Sequence, residues 1–373
     1  MSTDPVIDDP VTCRALDALR ELVDLETPSG HNAGIRRALE LVRGWADPLL
    51  RSPGSLIVAS DVPHLLWEAT SAPRTLLLGH VDTVWPLGTV DRRPFRVDGE
   101  RATGPGVLDM KAGLVIAVEA LRQADAVSSV GLLITGDEEV GSLTSRPLIE
   151  RVAAAYDAVL LLEPSHAGAL KTARKGGAIY QLEITGRAAH AGLAPENGVN
   201  ALTELARLVM ELDRFASPGE GTTVTPTVAR AGVTTNTIPD HAVLNVDVRA
   251  WSDRELERVD VEIRRLSAQT DGAALQVHGG INRYPMQPDR SHHLVAIAAR
   301  VARRAGLSPI EEARVGGASD GNFTSRLGVA TLDGLGAVGG GAHEDGEWIA
   351  IRSLAERARL VAGMIDALAA SGG

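Results

Sequence analysis

Apolar positions along the chain follow two patterns, and the first covers its beginning. In residues 13–47, apolar and polar residues alternate at helical spacing, and the turn-forming sequence Thr27–Gly30 interrupts the pattern. Short, fully apolar runs then alternate with amphipathic stretches, which is typical of buried parallel strands connected by helices. The predicted strands are Leu76–Leu78, Val130–Thr135 and Ala158–Leu162, and the predicted helices are Ala112–Ala124 and Ser145–Ala155.

From about Gly176 the pattern changes to an alternation of apolar and polar residues. In Ala242–Arg249, for example, Leu244, Val246 and Val248 fall on one side of a strand, which predicts one buried face and one exposed face. The predicted order is strand Ala178–Thr185, helix Asn200–Phe215, strands Thr222–Arg230 and Ala242–Arg249, helix Asp253–Ala268 and strand Ala274–His278. This β-α-β-β-α-β order matches the ferredoxin-like unit.

Beyond Arg283 the first pattern returns, with a helix predicted at Leu294–Ala305, a strand at Val329–Leu332 and a helix at Leu354–Ala369. The sequence therefore predicts an α/β fold with a mostly parallel sheet and helices on both faces, plus an inserted ferredoxin-like α+β domain. We assign residues 1–174 and 283–373 to the larger domain and residues 175–282 to the inserted one.

Length, charge and cysteine content narrow the range of functions. A chain of 373 residues exceeds what one compact core usually holds, which agrees with two domains. The formal net charge is −11 and aromatic residues make up only 3%, so we expect neither nucleic acid nor a membrane as a partner. Met1–Pro10 is acidic without an apolar core, and no apolar run reaches membrane-spanning length, so we expect a cytoplasmic protein. Cys13 is the single cysteine, so a metal site would have to use His, Asp and Glu.

Histidine and acidic residues follow the predicted strands at the points where those strands end. Because the carboxyl ends of parallel strands meet at one edge of a sheet, we expect these side chains to gather there. Two histidines and three carboxylates suit two Zn²⁺ ions, with Co²⁺ or Mn²⁺ as alternatives. The predicted ligands are His80, Asp109, Glu139, Glu163 and His343.

The five predicted ligands divide between two ions. Co-catalytic ions lie about 3.5–4 Å apart, a gap that one carboxylate can bridge, and we assign Asp109 as the bridge. One ion is then expected on His80 and Glu163, and the other on Glu139 and His343.

Two further acidic residues have predicted roles beside the ions. Asp82 lies two residues beyond His80 and is expected to accept its second ring N–H. If Glu138 and Glu139 lie in an extended segment, their side chains point to opposite sides. That arrangement leaves Glu138 free to act as the general base on a water molecule.

These residues resemble the motifs of a known family, the di-zinc metallopeptidases that include aminoacylases, succinyl-diaminopimelate desuccinylase and glutamate carboxypeptidase. Gly79–Val84, Gly104–Gly113 and Gly136–Gly141 are similar to its first-ligand, bridging-ligand and catalytic-base motifs. Glu163-Pro164 and the His343 loop fit the remaining ligands. The resemblance is closest to glutamate carboxypeptidase. It implies hydrolysis of an amide bond next to a free carboxylate, on a small molecule or short peptide.

The resemblance also implies roles for residues outside the metal ligands. His190, in Ala188–Gly192, is similar to the histidine that stabilises the oxyanion, which in family dimers often belongs to the partner subunit. The inserted domain is accordingly expected to act as a lid or in a homodimer, and the Asp109–Met110 peptide bond is expected to be cis. The residues implied in substrate binding are Asn236, Arg249, Arg283, Lys171 and Gly317.

Other motifs leave three alternatives open. Gly317–Gly321 fits a nucleophile elbow, and Asp333 and His343 follow Ser319 in the order of a serine hydrolase. Gly334–Gly339 follows a strand as a dinucleotide-binding fingerprint does, although that fingerprint requires a helix to begin there. The third alternative is a non-catalytic binding protein on the same fold.

Overall fold

The computed structural model describes residues 9–371. Most of the Met1–Pro10 segment, on which the expected cytoplasmic location rests, therefore lies outside the described residues. The helices in chain order are α1 (Pro10–Val23), α2 (Asn32–Leu50), α3 (Thr89–Arg92), α4 (Ala112–Gln123), α5 (Arg146–Ala153), α6 (Ala201–Leu212), α7 (Asp253–Arg264), α8 (His292–Arg304), α9 (Gly321–Arg326) and α10 (Arg352–Ala370). The strands are β1 (Ser55–Ala59), β2 (Val62–Trp67), β3 (Thr75–His80), β4 (Arg96–Asp98), β5 (Arg101–Thr103), β6 (Val130–Thr135), β7 (Ala158–Leu161), β8 (Leu170–Arg174), β9 (Gly176–Thr185), β10 (Ala189–His190), β11 (Thr223–Ala231), β12 (Thr237–Ile238), β13 (His241–Ala250), β14 (Ala274–Arg283), β15 (Glu312–Val315), β16 (Ala330–Leu332), β17 (Gly339–Gly340) and β18 (Trp348–Ala350).

The described residues form two compact units. The larger unit runs to Ala173 and also includes Met286–Val315 and the residues from Ser319 onward. The smaller unit consists of Arg174–Pro285 and Gly316–Ala318. The assignment of the smaller unit as a lid or dimerisation domain stays a prediction.

A six-stranded sheet forms the centre of the larger unit, in the order β1-β2-β6-β3-β7-β16. Strands β6, β3, β7 and β16 are parallel, whereas the hairpin β1–β2 adds two antiparallel strands at one edge. The predicted α/β fold with a mostly parallel sheet is therefore confirmed. Among residues 9–371, no helix combines the length and the apolar content needed to cross a membrane.

Both faces of this sheet are buried, which explains its continuous apolar strands. Leu77 and Leu132 pack in a core that includes residues of α1, α2, α4, α8 and α10. Their neighbours Leu76 and Leu133 pack on the other face, with residues of α5 and α9. Since successive side chains of a strand point to opposite faces, a sheet with helices on both sides requires apolar residues at every position.

The smaller unit contains an antiparallel sheet in the order β11-β13-β9-β14, covered on one face by α6 and α7. Along β13 every second residue is buried: Leu244 is 1% exposed, whereas Asn245 and Asp247 are half-buried. The elements follow the predicted β-α-β-β-α-β order, and the ferredoxin-like prediction is confirmed.

Glu204 on α6 is a fully buried carboxylate in the smaller unit. It accepts hydrogen bonds from the Arg207 guanidinium, from the N–H of Gln269, and from both the N–H and the hydroxyl of Thr270. Burial alone would raise the pKa of Glu204, but these hydrogen bonds favour the charged form more strongly and lower its pKa to about 2. One ionised side chain therefore connects α6 to the segment that follows α7.

We expect the smaller unit to lose stability as the pH falls, and Glu204 to cause part of that loss. A glutamate has a pKa of about 4.3 in an unfolded chain, so the depressed folded pKa contributes stability that is complete above about pH 5 and disappears toward about pH 2. The full effect is on the order of 3 kcal/mol. Glu204→Gln should lower the free energy of unfolding in urea at neutral pH and flatten its pH dependence. Glu257→Gln, at an exposed position of α7, is the matched control. Equal pH slopes in the two variants would contradict the prediction.

Candidate metal centre

Three of the predicted ligands are positioned by parallel strands of the larger unit. His80 is the last residue of β3, Glu163 lies two residues beyond β7, and Glu139 lies in a turn that follows β6. Because β3 pairs in parallel with both β6 and β7, all three strand ends reach the same edge of the sheet.

The other two predicted ligands come from loops. Asp109 lies in the turn Val107–Lys111 that leads into α4, and the Asp109–Met110 peptide bond is cis, as predicted. A Cβ on Gly113 would lie 2.0 Å from the carbonyl oxygen of Leu162, so only glycine lets α4 approach the segment that carries Glu163 this closely. His343 lies in the loop between β17 and β18 with a left-handed backbone, φ 63°.

The five side chains form a continuous series of nitrogen–oxygen contacts. Nε2 of His80 lies 3.4 Å from Oδ1 of Asp109 and 3.5 Å from Oε1 of Glu163. Nε2 of His343 lies 3.5 Å from Oδ2 of Asp109 and 3.2 Å from the Glu139 carboxylate. The two oxygens of Asp109 therefore face two different histidines, which is the arrangement expected of a bridging carboxylate.

Most of these separations fit ligands of a shared metal ion better than hydrogen bonds. Contacts of 3.4–3.5 Å are longer than the usual 2.7–3.2 Å of an N–H···O bond. Two ligand atoms bound to one zinc ion at about 2.0–2.2 Å in tetrahedral geometry lie about 3.3–3.5 Å apart. Imidazole nitrogens and carboxylate oxygens are also typical zinc ligands. The residues present therefore fit a pair of divalent cations.

The pKa values of the two histidines reflect the carboxylates around them. Burial favours the neutral ring of His80, but the nearby carboxylates of Asp109, Asp82 and Glu163 outweigh it and raise its pKa well above the ordinary value. The carboxylates of Asp109 and Glu139 raise the pKa of His343 to about 10. Divalent cations would compete with protons for the same ring nitrogens.

The pKa values of the carboxylates Asp109 and Glu139 depend in turn on the surrounding charges. Burial would raise the pKa of Asp109, but the two histidines lower it strongly, and the ammonium group of Lys171 lowers it further. Burial raises the pKa of Glu139, and the charge of Asp109 adds to the rise. Lys171 therefore contributes to the electrostatics of the centre.

Asp82 supports the site in a different way from the predicted one. Nδ1 of His80 lies 3.0 Å from the backbone oxygen of Asp82 and 3.4 Å from its carboxylate. The carboxylate instead accepts the N–H groups of Glu138 and Glu139, at 3.1 and 3.2 Å, and the hydroxyl of Ser29 at 2.7 Å. The backbone of Asp82 thus orients His80, and its side chain orients the segment after β6.

Glu138 and Glu139 do not lie in an extended segment, so that expectation was wrong. They begin the 3-10 turn Glu138–Val140, which Gly141 ends with φ 96°. The successive N–H groups of Glu138 and Glu139 both donate to the carboxylate of Asp82. A straight strand would direct these two N–H groups to opposite sides, so the segment has to turn. Both glutamates are half-buried, and their separate roles stay a prediction.

Glu347 is a residue of the site that the sequence did not reveal. It lies four residues beyond His343 and is only 2% exposed. Its carboxylate accepts four hydrogen bonds of 2.8–3.0 Å, from the N–H groups of Gly106, Leu108 and Asp109 and from the indole of Trp85. In the sequence it ends an acidic run, Glu344–Glu347, that is indistinguishable from a solvated loop. The structure shows that it connects the loop of His343 to the loop of Asp109.

Two predicted residues of the smaller unit lie side by side. His190, in β10, pairs with β12, and the N–H of Ala191 donates to the backbone oxygen of Asn236 at 2.8 Å. Nδ1 of His190 accepts the N–H groups of Gly192 and Leu193, both at 3.1 Å. In the neutral ring the proton therefore resides on Nε2, which makes this atom a hydrogen-bond donor.

Three further residues predicted to contact substrate, Arg249, Arg283 and Gly317, lie in the smaller unit. Arg249 forms a two-pronged ion pair with Asp247, at 2.9 and 2.8 Å. Arg283 is 8% exposed at the end of β14. Gly317 is exposed, and its carbonyl oxygen accepts a hydrogen bond from Arg174 at 3.0 Å. Their roles in substrate binding stay predictions.

The geometry does not support the two rival motifs. Ser319 donates directly to Asp333 at 2.8 Å, both residues are buried, and His343 contacts Asp109 and Glu139 instead, so a Ser–His–Asp triad is not assembled. Gly334–Gly339 leads into strand β17, whereas a dinucleotide fingerprint requires a helix at that point.

Comparisons with known proteins agree with the geometry. Residues 76–367 match the model of peptidase family M20/M25/M40. Carboxypeptidase G2 of Pseudomonas sp. (strain RS-16) is 32% identical over 370 residues, which cover 95% of this chain and 89% of that protein. Succinyl-diaminopimelate desuccinylase of Methylobacterium radiotolerans is 29% identical over 350 residues, covering 86% of each. A solved structure from Bacillus subtilis, the YXEP protein described as a dinuclear metal binding peptidase, is 14% identical with a TM-score of 0.68 and covers 96% of this chain and 99% of its own.

We expect Glu347→Gln to loosen the loop that carries Asp109. The neutral amide retains the size of the side chain but loses hydrogen bonds to a charged acceptor, which contribute about 1.5–3 kcal/mol each. Zinc affinity in calorimetric titration should fall about 10–100-fold, the range for residues that support metal ligands. Glu344→Gln, exposed in the same loop, should bind zinc like the wild type. Unchanged affinity in Glu347→Gln would refute the role.

Proposed function

Since the chain belongs to peptidase family M20/M25/M40, we propose that it is a metal-dependent hydrolase that cleaves an amide bond next to a free carboxylate. The observation that carries the proposal is Asp109, whose two oxygens face the Nε2 atoms of His80 and His343. The substrate class is an N-acyl amino acid or a short peptide. The carboxypeptidase and desuccinylase names of the relatives support this choice.

The proposed cofactor is a pair of Zn²⁺ ions, with Co²⁺ or Mn²⁺ as alternatives. His80 and Glu163 would hold one ion, Glu139 and His343 the other, and Asp109 both. When bound, such ions lower the pKa of a water molecule and polarise the acyl oxygen of the substrate.

Glu138 is the proposed general base and acid. Its carboxylate takes a proton from the attacking water and delivers it to the departing nitrogen. The contact that supports this role is the hydrogen bond from the Glu138 N–H to Asp82, because it fixes the turn that carries the base. The same Asp82 orients the ring of His80 through its backbone oxygen. One residue thus positions both a base and a ligand.

The smaller unit supplies the proposed substrate contacts other than Lys171, which belongs to the larger unit. His190 is assigned to the oxyanion, and the protonation of its Nε2 supports a donor role. Arginine pairs with carboxylates through two parallel hydrogen bonds, which favours Arg283 as the group that binds the substrate carboxylate. Arg249 is assigned as a further substrate contact. Asn236, Lys171 and Gly317 are assigned as further contacts.

The same proposal includes a homodimer and a cytoplasmic location. β11 and β14 are the outer strands of the sheet in the smaller unit. Such strands have unpaired backbone groups, which a second copy of the sheet can satisfy. Analytical ultracentrifugation decides between monomer and dimer.

Removal of metal should abolish hydrolysis. After dialysis against a chelator, we expect no turnover of N-acyl amino acids or C-terminal glutamate conjugates, and recovery on addition of zinc, cobalt or manganese. Elemental analysis of the active protein should give two metal ions per chain. A fluorophosphonate should have no effect on the rate of hydrolysis, because the hydroxyl of Ser319 is buried and hydrogen-bonded to Asp333. Activity that survives the chelator and is blocked by the fluorophosphonate would overturn the proposal.

Glu138→Ala should separate metal binding from turnover. We expect the variant to retain both metal ions and the wild-type KM, while kcat falls about 10²–10⁴-fold, the contribution of a positioned general base. Val140→Ala changes an exposed side chain of the same turn and is the matched control. A near-normal kcat in Glu138→Ala with full metal content would exclude Glu138 as the base.

A further inference from the structure

A cavity in the larger unit lies away from the predicted metal ligands. Its volume is about 330 Å³, within the range of about 300–1,000 Å³ usual for small-molecule sites. The wall consists of the beginning of α10, the turn at Ala167-Gly168 and the loop Leu307–Glu311. Within the described part of the chain, the five predicted ligands are not among the residues that line it.

Arg357 is the residue of this wall that indicates a ligand. Its side chain is 7% exposed, and a guanidinium group has five N–H donors. Among residues 9–371 it has one hydrogen bond to the protein, to the carbonyl oxygen of Gly168, and no ion pair. Burial lowers the pKa of Arg357, and the charge of the neighbouring Glu356 offsets this effect only in part. Buried charges in proteins are normally paired, which predicts an anionic group from elsewhere.

The other charged residues of the cavity limit what that ligand can be. Arg352 lines it from the exposed first position of α10, whereas Glu311 and Glu356 contribute carboxylates to the same wall. A dianion such as phosphate would face two carboxylates, and a simple cation would face Arg357. A zwitterion satisfies both signs, with its carboxylate on the guanidinium and its ammonium group on a glutamate.

We propose that this cavity binds a free α-amino acid, with the carboxylate of the ligand on Arg357. A planar guanidinium pairs with a carboxylate through two parallel hydrogen bonds, and Arg357 has enough unused donors for both. The binding site needs neither metal nor the catalytic residues, so it goes beyond the proposed function.

The wall of the cavity is continuous with a segment of the metal centre. The Ser353 hydroxyl accepts the N–H of Val338 and donates to the carbonyl oxygen of Ala350. Val338 precedes β17, which leads into the loop of His343. A bound amino acid would therefore stabilise this segment. The interpretation of this binding as regulation by the reaction product rests on the proposed function, in which an amino acid is released. The binding itself does not depend on that function.

Calorimetric titration of the zinc-loaded protein with L-alanine, L-glutamate, L-lysine and inorganic phosphate tests the proposal. We expect at least one amino acid to bind the wild type and phosphate not to bind. Arg357→Met should weaken that binding at least about 10-fold, the loss expected for a hydrogen bond to a charged group. Arg357→Lys retains the charge without the planar fork and should give an intermediate loss.

Matched variants make the result specific to the cavity. Arg359→Met changes an exposed arginine of the same helix and should bind like the wild type. Ser308→Trp fills the cavity from an exposed position of its wall and should abolish binding even if Arg357→Met does not fold. All variants should retain the zinc content of the wild type. A loss of amino-acid binding with unchanged zinc content then concerns the cavity, and failure of the metal-centre proposal is recognised separately. Amino-acid binding that is equal in wild type, Arg357→Met and Ser308→Trp, binding of phosphate alone, or no binding to the wild type would overturn the proposal.

Discussion

Hydrogen bonds from backbone N–H groups to two buried carboxylates, Asp82 and Glu347, hold the candidate metal centre together. Asp82 fixes the turn of Glu138 and Glu139, and Glu347 fixes the turn of Asp109. A charged acceptor forms shorter and stronger bonds to N–H groups than a neutral one. Irregular loops, which have no ladder of their own, can therefore present ligands in a fixed arrangement. The sheet brings these loops to one edge, but the two carboxylates determine where their side chains lie.

Much of the fold follows from the sequence because the physical signals are local. A strand buried on both faces must be apolar throughout, and Val130–Thr135 is predicted with the bounds that the structure has. The gathering of His80 and Glu163 follows from the same rule, because parallel neighbours end at one edge. The hairpin of β1 and β2 is absent from the prediction for an equally local reason. Its turn uses Ser60 and Asp61 at positive φ, without the glycine that normally marks such a turn.

The parts of the site that the sequence does not predict depend on contacts between distant residues. Glu347 is buried only because four donors from other segments surround it, and nothing in its own neighbourhood indicates that burial. The turn at Glu138 has the same cause, because its partner Asp82 lies 56 residues earlier. Sequence patterns therefore identify which residues can take part in the chemistry, whereas the orientation of each one is set by acceptors that no local pattern specifies.

Several buried carboxylates in this chain are paired with arginines. Buried Glu204 is paired with Arg207, buried Glu119 with Arg14, and buried Glu255 with Arg258. In the metal centre the carboxylates meet histidines and, by our proposal, cations. Among the described residues, the buried cations Arg357 and Lys111 each donate to one carbonyl oxygen, that of Gly168 and that of Leu25 respectively. Of the two, Arg357 lines the cavity of about 330 Å³. Because a protein interior penalises an unbalanced charge, a cavity beside such a residue is the place where a complementary ligand gains most from binding.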